Sequence, residues 1–144
     1  ALERQRSAAK PFSLIMLDID HFKHINDTHG HPAGDRILEE FARRLERDIR
    51  GFDLAARYGG EEFVVMLPDA DAPLAEKVAE RLRGNVEAVP FETGEAVGKV
   101  EITCSIGVTT VCEGDDRTSV LKRADECLYK AKAGGLNRVV VAAA

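Results

Sequence analysis

A pair of glycines, Gly59 and Gly60, most constrains the fold of this chain, because strand-like segments flank them on both sides. Tight two-residue hairpin turns require positive φ angles, which glycine alone adopts without steric penalty. The pattern predicts a hairpin with Gly59-Gly60 as its turn. Two carboxylates, Glu61 and Glu62, follow the turn directly. Such crowded charge beside bare backbone suits metal-bound phosphate, and a surface hairpin with solvated glutamates is the alternative.

A second acidic group follows the first apolar segment. Residues 12–17 form a continuous apolar run, which predicts a strand buried on both faces, and Asp18-Ile19-Asp20 comes next. Side chains alternate along a strand, so Asp18 and Asp20 are predicted to point to one side. Because buried carboxylates need a cation or hydrogen-bond donors, the sequence predicts a charged site at the end of this strand.

The remaining patterns predict the order β-α-α-β-β-α-β-α-β, a split βαβ plan of the α/β (α+β) class with helices over a mixed sheet. The predicted elements are strands at 12–17, 53–58, 63–67, 100–109 and 138–141, and helices at 21–29, 32–50, 73–89 and from a cap at Thr118-Ser119 to Gly134-Gly135. Residues 90–98 are predicted to form a loop or small hairpin arm. The first strand should lie mid-sheet beside the glycine hairpin, which would bring Asp18 close to Glu61 and Glu62.

Composition excludes several classes of function. The 144 residues suffice for one domain with a real core, and no apolar run approaches the roughly 20 residues of a transmembrane helix. A net charge of -5 argues against a protein that binds duplex DNA or RNA. Three cysteines without CxxC spacing argue against disulfides or a zinc ribbon and indicate a reducing cytoplasm. Four histidines, clustered between residues 21 and 31, suggest a metal site, but surface histidines are the favoured interpretation.

Five ordered motifs resemble the GGDEF domain of diguanylate cyclases in its GGEEF form. They are Asp18-Ile19-Asp20-x-Phe22-Lys23-x-Ile25-Asn26-Asp27, Gly30-His31-x-x-Gly34-Asp35, Arg57-Tyr58-Gly59-Gly60-Glu61-Glu62-Phe63, Ser105-Ile106-Gly107-Val108 and Ala124-Asp125-x-x-Leu128-Tyr129-x-Ala131-Lys132. The resemblance runs from about Phe12 to Val141 and implies a palm-like nucleotidyl-cyclase fold. It divides the chain into a linker remnant, 1–10, and a catalytic domain, 11–144, whose upstream sensor or receiver domain is missing.

The resemblance implies a cytoplasmic bacterial enzyme that condenses two GTP molecules into cyclic di-GMP and pyrophosphate. Each copy would hold one GTP, so that catalysis needs a homodimer. It implies Mg²⁺ or Mn²⁺ as cofactor, with Asp18, Glu61 and the backbone carbonyl of Ile19 as metal ligands. Glu62 would be a further ligand or would help to deprotonate the attacking hydroxyl. For this domain it implies contact with neither duplex nucleic acid nor membrane.

The resemblance also implies a set of substrate-binding residues. Those matched to the triphosphate are Phe22, Lys23 and Lys132, those matched to guanine are Asn26 and Asp35, and Gly59 and Gly60 would leave backbone room for the nucleotide. A solvated helix lysine is the alternative for Lys23. An acid that the helix dipole favours in a first turn is the alternative for Asp35.

A product-binding site is implied by Arg50-Gly51-Phe52-Asp53, which matches the inhibitory RxxD motif of the family, with Arg81 as a secondary arginine. The alternative is an arginine at a helix C-terminus and an unrelated loop aspartate. One departure weakens the match, because Leu136 stands where the family carries an arginine that contacts the triphosphate. A non-catalytic receptor for cyclic di-GMP is therefore the second hypothesis, and a scaffold domain is the third.

Overall fold

The structure is a computed structural model that describes residues 10–94 and 98–143. Its elements are β1 (Phe12–Ile19), α1 (Phe22–His29), α2 (His31–Arg47), β2 (Leu54–Gly59), β3 (Glu62–Pro68), α3 (Ala72–Ala88), β4 (Phe91–Glu92), β5 (Lys99–Val100), β6 (Cys104–Thr110), α4 (Arg117–Ala133) and β7 (Val139–Val141). Apart from Lys10, the predicted linker at 1–10 lies outside the described residues. The predicted alternation of helices and strands is confirmed, with corrections at the long strand and at two turns or caps.

The main sheet has the strand order β2-β3-β1-β6-β7. β1 pairs antiparallel with both β3 and β6, whereas β6 and β7 run parallel. The sheet is therefore mixed, and β1 lies at its centre beside the β2–β3 hairpin, as predicted. This position explains the apolar run of β1, because a central strand covered on both faces has no side that meets water.

The two faces of the sheet are packed by different helices. Odd-numbered residues of β1 such as Ile15 and Leu17 join the larger cluster, which α1, α2 and α3 complete. Even-numbered ones such as Leu14 and Met16 pack against α4. α4 approaches closely because β6 carries Gly107, where an added Cβ would lie 2.4 Å from a backbone oxygen of that helix.

The strand predicted at 100–109 is two strands. Val100 pairs with Phe91 in a separate two-stranded sheet, and Cys104 pairs with Ile19 in the main one. The prediction of one strand is wrong because residues 101–103 cross between the sheets. The apolar residues still fall at even positions, where Ile102, Cys104, Ile106 and Val108 join one core cluster, but the odd-numbered Ser105 and Thr109 are buried as well.

The small β4–β5 sheet confirms the predicted hairpin arm, although part of its loop, residues 95–97, lies outside the described residues. Arg44 of α2 holds the arm by donating to the carbonyls of Val89 and Pro90 at 2.7 and 3.1 Å. Its guanidinium carbon lies 3.8 Å from the centre of the Phe91 ring. Arg44 Nε donates to a Glu40 carboxylate oxygen at 2.8 Å, so each of the three guanidinium nitrogens has a hydrogen-bond partner.

The start of α4 differs from the prediction by a few residues. Asp116, not Thr118-Ser119, is the N-cap, and its carboxylate accepts from the backbone N–H of Ser119 at 2.8 Å. The Ser119 hydroxyl accepts from the Asp116 N–H in return, which completes a capping box. Among the described helices, none has the length and apolarity to cross a bilayer. The three cysteines are free thiols.

Candidate active site

The β2–β3 hairpin turns one residue later than predicted. Gly59 ends β2 and pairs with Glu62, which makes Gly60 and Glu61 the turn, and the register slips by one residue after Arg57. Neither glycine has a positive φ angle, so the prediction of a tight turn with positive φ at Gly59 and Gly60 is wrong. The bulge bends the strand instead. A Cβ added at either glycine would meet nothing within 4 Å, so the backbone here borders open space.

The backbone positions of Asp18, Glu61 and Glu62 are adjacent where β1 ends beside this turn. Asp18 is the cross-strand partner of Glu62, and the Ile19 N–H donates to the Glu61 carbonyl at 3.4 Å. The proximity predicted from topology is therefore confirmed. Burial raises the pKa of Asp18 to about 6, and the charges of Glu61 and Glu62 add to this effect, together outweighing the opposing ammonium of Lys132. Burial therefore disfavours the charged form of this carboxylate.

Lys132 supplies the positive charge nearest to Asp18. It lies in the last turn of α4, and its ammonium donates to Asp18 Oδ2. Burial lowers the pKa of Lys132, but the bond to Asp18 and the charges of Glu62 and Glu61 outweigh this and raise it. The ammonium is therefore charged at neutral pH. α4 thus contributes to the same site as β1 and the hairpin.

Asp20 has a different environment from Asp18, although both are buried. Its carboxylate accepts from the hydroxyls of Thr103 and Ser105, each at 2.7 Å, and from the backbone N–H of Asn137 at 2.9 Å. The predicted need for a cation or donors is thus met by a cation at Asp18 and by three donors at Asp20. Asp20 ties the segment between α4 and β7 to the central strand.

This α4–β7 segment contains the departure from the family pattern. Leu136 and Asn137 both have positive φ, at 67° and 46°, which is uncommon for residues other than glycine. Asn137 is held there by its bond to Asp20 and by side-chain bonds to Arg83 and Glu87 of α3. Leu136, which is half-buried, offers no charge.

Arg138 is the residue before β7, and its side chain turns back towards the end of α4. Its Nε donates back to the Leu136 carbonyl at 3.1 Å. Its guanidinium lies against Gly134 and Gly135, where an added Cβ would be 3.1 and 2.5 Å from the guanidinium nitrogens. The side chain therefore folds back over the end of α4.

The N-terminus of α1 follows β1 after a single turn. His21 precedes it in a left-handed conformation, φ 58°, and no side chain caps the helix. Phe22 is buried and anchors this turn, whereas Lys23 is exposed. The amide groups of an uncapped first turn can bind an anion, and an exposed lysine beside them adds charge.

The contact between α1 and α2 fixes Asn26. A Cβ at Gly34 would lie only 1.8 Å from Asn26 Oδ1 and 3.3 Å from the Phe22 ring, so only glycine fits in α2 at this point. Asn26 Oδ1 is the one buried side-chain nitrogen or oxygen without a partner in the described part of the chain. Because buried polar atoms are almost always paired, this oxygen is a candidate ligand contact.

Asp35, the residue after Gly34, lines a cavity of about 400 Å³ between α2 and the hairpin. Leu38 and Ala42 line the same side along α2, and Arg57 and Phe63 come from the hairpin strands. Arg57 is held by a 2.9 Å bond from its Nε to the Gly60 carbonyl. With Glu39 and Glu46 also in its lining, the cavity combines apolar surface with three carboxylates and a guanidinium, which suits a flat polar ring.

The two residues of the RxxD motif bind each other. Asp53 is buried, and both Nε and Nη2 of Arg50 donate to it at 2.9 to 3.2 Å. Arg50 also donates to the Pro68 carbonyl at 2.8 Å, and its guanidinium lies 4.4 Å from the ring of the exposed Phe52. The pair therefore joins the end of α2 to the end of β3. Both residues have a structural role, whatever they bind.

Arg81 lies at the same end of α2 as this pair. It is exposed on α3, and its Nη2 donates to the carbonyl of Asp48, two residues before Arg50, at 2.7 Å. The structure thus brings Arg81 to the end of α2 where Arg50 begins the motif. It is not bonded to Arg50 or Asp53.

The carboxylate site fits Mg²⁺ or Mn²⁺ that arrives with a phosphate. Among residues 10–94 and 98–143, no three side chains of His, Cys, Asp or Glu gather into a complete metal cage, the four histidines included. Mg²⁺ in nucleotide enzymes takes one or two carboxylates and completes its shell with phosphates and water. Asp18 with Glu61 provides such hard oxygens, in a place where burial, with a smaller contribution from the neighbouring glutamates, raises the pKa of Asp18.

The family model described as "Diguanylate cyclase, GGDEF domain" matches residues 1–138. The chain belongs to the GGDEF domain family. A curated relative, response regulator PleD of Caulobacter vibrioides, is 48% identical over 144 residues, which are 99% of this chain and 32% of that protein. Diguanylate cyclase A of Treponema denticola is 46% identical over 90% of this chain and 34% of its own length. The chain thus spans about a third of these relatives.

Solved GGDEF structures share the whole fold. The GGDEF domain of DgcB from Caulobacter crescentus, determined in complex with c-di-GMP, matches with a TM-score of 0.88 and 35% identity, over 97% of this chain and 82% of that one. The active GGEEF domain of a diguanylate cyclase from Vibrio cholerae matches with a TM-score of 0.85 and 34% identity, over 99% and 90%.

In this GGDEF domain, sequence reasoning missed three groups at the site. Gly34 belongs to the motif Gly30-His31-x-x-Gly34-Asp35 but had no predicted role, although a lone glycine inside a helical pattern indicates close packing. Arg57 also stood in a motif, and only the structure brings it to the cavity wall. The bond between Asp20 and the Asn137 amide had no signal in sequence, because a backbone donor carries no residue identity.

Proposed function

We propose that this chain is the catalytic domain of a diguanylate cyclase, which condenses two GTP molecules into cyclic di-GMP and releases two pyrophosphates. The pairing of Asp18 with Glu62 carries the proposal, since it sets the end of β1 and the acidic turn side by side, next to the uncapped N-terminus of α1. The activity named for diguanylate cyclase A belongs to a protein about three times as long, so activity is a proposal for this chain.

GTP would be bound by groups from three helices. Asn26 Oδ1 and the Asp35 carboxylate would accept hydrogen bonds from the N–H groups of guanine, a donor set that adenine lacks. The unpaired state of Asn26 Oδ1 supports this assignment. The first amides of α1, with Phe22 as their anchor and Lys23 beside them, would hold the terminal phosphates. Lys132 would neutralise phosphate charge from α4.

In the chemical step, the 3'-hydroxyl oxygen of one GTP forms a bond to the α-phosphorus of the other, and the bond from that phosphorus to the bridging oxygen breaks. Glu62 would accept the hydroxyl proton, and pyrophosphate leaves with the electron pair of the broken bond. Mg²⁺ or Mn²⁺, held by Asp18, Glu61 and the Ile19 carbonyl, would neutralise charge on the phosphate oxygens. Gly59 and Gly60, which border open space, leave room for the nucleotide.

Two copies of the chain are needed, because one cavity takes one GTP and the reaction joins two. We therefore expect a homodimer in catalysis and activation by an upstream sensor or receiver domain. Since GTP is an intracellular nucleotide and the cysteines are free thiols, we place the domain in the bacterial cytoplasm.

The test is incubation of the chain, fused to a dimerising coiled coil, with GTP and Mg²⁺, followed by nucleotide chromatography. We expect cyclic di-GMP from the wild type and none from Glu61→Ala. Glu76→Ala, which removes an exposed carboxylate from α3, is the matched control and should retain activity. Wild-type turnover in Glu61→Ala would remove Glu61 from the site.

We also propose that the product inhibits the domain by binding at Arg50, Asp53 and Arg81. Arg50 is held rigidly by Asp53 and Pro68, so its free edge is preorganised for a phosphate or a guanine edge. Arg81 adds a second exposed guanidinium at the same end of α2. Phe52, which is 54% exposed and packs on Arg50, offers a flat apolar surface for a base.

Because Asp53 is buried against Arg50, Arg50→Ala would leave a buried carboxylate without its ion-pair partner. The resulting loss of stability would make a change in the inhibition curve difficult to interpret. Arg81→Ala is the cleaner variant, since it removes one exposed side chain. We expect it to raise the concentration of cyclic di-GMP needed for half inhibition while the melting temperature stays unchanged. Arg47→Ala, another exposed arginine of this region, should leave the inhibition curve unchanged. An unchanged curve in Arg81→Ala would exclude Arg81 from the site.

A non-catalytic receptor for cyclic di-GMP is the second candidate, and Leu136 favours it. This residue gives the α4–β7 segment no charge for a triphosphate, and Arg138 is folded over the end of α4. Tight binding of cyclic di-GMP by a dimeric fusion that makes none from GTP would identify a receptor.

A further inference from the structure

The ammonium of Lys132 is bound to Asp18, where the function proposed above requires a divalent metal ion. Asp18 is 3% exposed, and its Oδ2 accepts from the Lys132 ammonium. The side chain of Lys132 is 41% exposed, so one end of the pair is accessible to solvent while the other is not. Asp18 is also the carboxylate that would hold the divalent cation.

We propose that Lys132 is a built-in counter-ion of Asp18, which must leave this carboxylate before a divalent cation binds, so that metal and nucleoside triphosphate bind together. Two cations a few ångströms apart repel each other strongly where water is partly excluded. A metal that arrives alone must therefore displace the ammonium and leave it without a partner. Binding of the metal alone is weakened by the lost ion pair.

A triphosphate removes this penalty. Lysine carries its charge on a flexible four-carbon stem, and the exposed stem of Lys132 lets the ammonium turn from Asp18 to a phosphate oxygen. The nucleotide then gains a cation, and Asp18 becomes free for the metal. By linkage, each ligand raises the affinity for the other by the same factor.

The arrangement also protects the site while it holds no nucleotide. Glu61 and Glu62 lie next to Asp18 along the backbone, and carboxylates so placed repel one another. The ammonium offsets this repulsion in the free protein. Removal of Lys132 should therefore raise metal affinity in the free protein and lower nucleotide affinity, which a merely structural lysine would not do.

The experiment measures Mn²⁺ binding by electron paramagnetic resonance, without nucleotide and then with a non-hydrolysable GTP analogue. Without nucleotide, we expect Lys132→Met to bind Mn²⁺ about tenfold more tightly than the wild type. With the analogue at a concentration that only half-saturates the wild type, the order should reverse, because the variant binds the nucleotide more weakly and therefore takes up less Mn²⁺ with it. Lys130→Met, an exposed lysine in the same helical turn, should follow the wild type in both conditions.

Asp18→Asn, made alone and in combination with Lys132→Met, tests the metal site separately from the counter-ion role. If Lys132→Met gains no Mn²⁺ affinity but Asp18→Asn abolishes binding with the analogue, the counter-ion role is overturned and the metal site stands. If Asp18→Asn changes binding in neither condition, the metal site and the counter-ion role both fail. A gain in Lys132→Met that Asp18→Asn cancels supports both.

Discussion

Replacement of Gly34 by alanine should disable nucleotide binding while the domain stays folded. The new Cβ would lie 1.8 Å from Asn26 Oδ1, whereas non-bonded atoms settle at about 3.5 Å. Asn26 must therefore move its amide by roughly 1.5 Å, away from the position in which its oxygen is buried without a partner. The Phe22 ring, 3.3 Å from the new atom, must yield as well.

The energetic cost falls mainly on binding. Alanine is favoured over glycine inside a helix by about 1 kcal/mol, and overpacking costs about 1–3 kcal/mol, so the net loss of stability is at most about 2 kcal/mol. A hydrogen bond lost between Asn26 and the base costs about 1–3 kcal/mol, or roughly 5- to 150-fold in affinity.

The assay is titration calorimetry with a non-hydrolysable GTP analogue and Mg²⁺, combined with thermal melting of each variant. Gly84→Ala is the matched control, because this α3 glycine has nothing within 4 Å of an added Cβ. It should gain about 1 kcal/mol of stability and keep full affinity. A folded Gly34→Ala variant that binds the analogue within about twofold of the wild type would refute the role of Asn26.

Three further predictions concern the support of the site by α4. Gly107→Ala would drive a Cβ into the backbone of this helix at 2.4 Å and should lower the free energy of unfolding by about 3 kcal/mol in denaturant titrations. Asp116→Ala removes the N-cap and should cost about 1 kcal/mol, whereas Asp116→Ser should cost little; equal losses would contradict the capping box. The Arg123 guanidinium holds the pKa of Asp115 well below its usual range. This pair therefore stabilises the fold above about pH 4 and loses its contribution as the pH falls further, so Asp115→Asn should flatten the acid limb of the stability profile.

The arrangement of strands was predictable because it follows from hydrophobic patterning. The apolar run ending in Asp18 identified β1 as a central strand, and a central strand beside a hairpin necessarily brought Asp18 to Glu62. The turn itself was mispredicted, since a bulge depends on which backbone groups pair across the hairpin. Composition alone does not distinguish a Gly59-Gly60 turn from a Gly60-Glu61 turn.

Contacts between separate elements were beyond the reach of the sequence. The burial of Asn26 against Gly34 depends on the crossing of α1 and α2, and the ion pair of Lys132 depends on the reach of α4 to β1. The motifs suggested roles for Asn26 and Lys132 through resemblance. They could not indicate that one is unpaired and the other already bound.

The hydrogen bond from the Asn137 amide to Asp20 gives the site a spectroscopic gauge. Most amides of an irregular segment exchange their protons with water quickly, but this one donates to a buried carboxylate directly after the central strand. Its exchange rate should therefore follow the opening of β1 and not the mobility of its own loop. A single backbone resonance from a surface segment would then record how firmly the sheet holds the chemistry beside it.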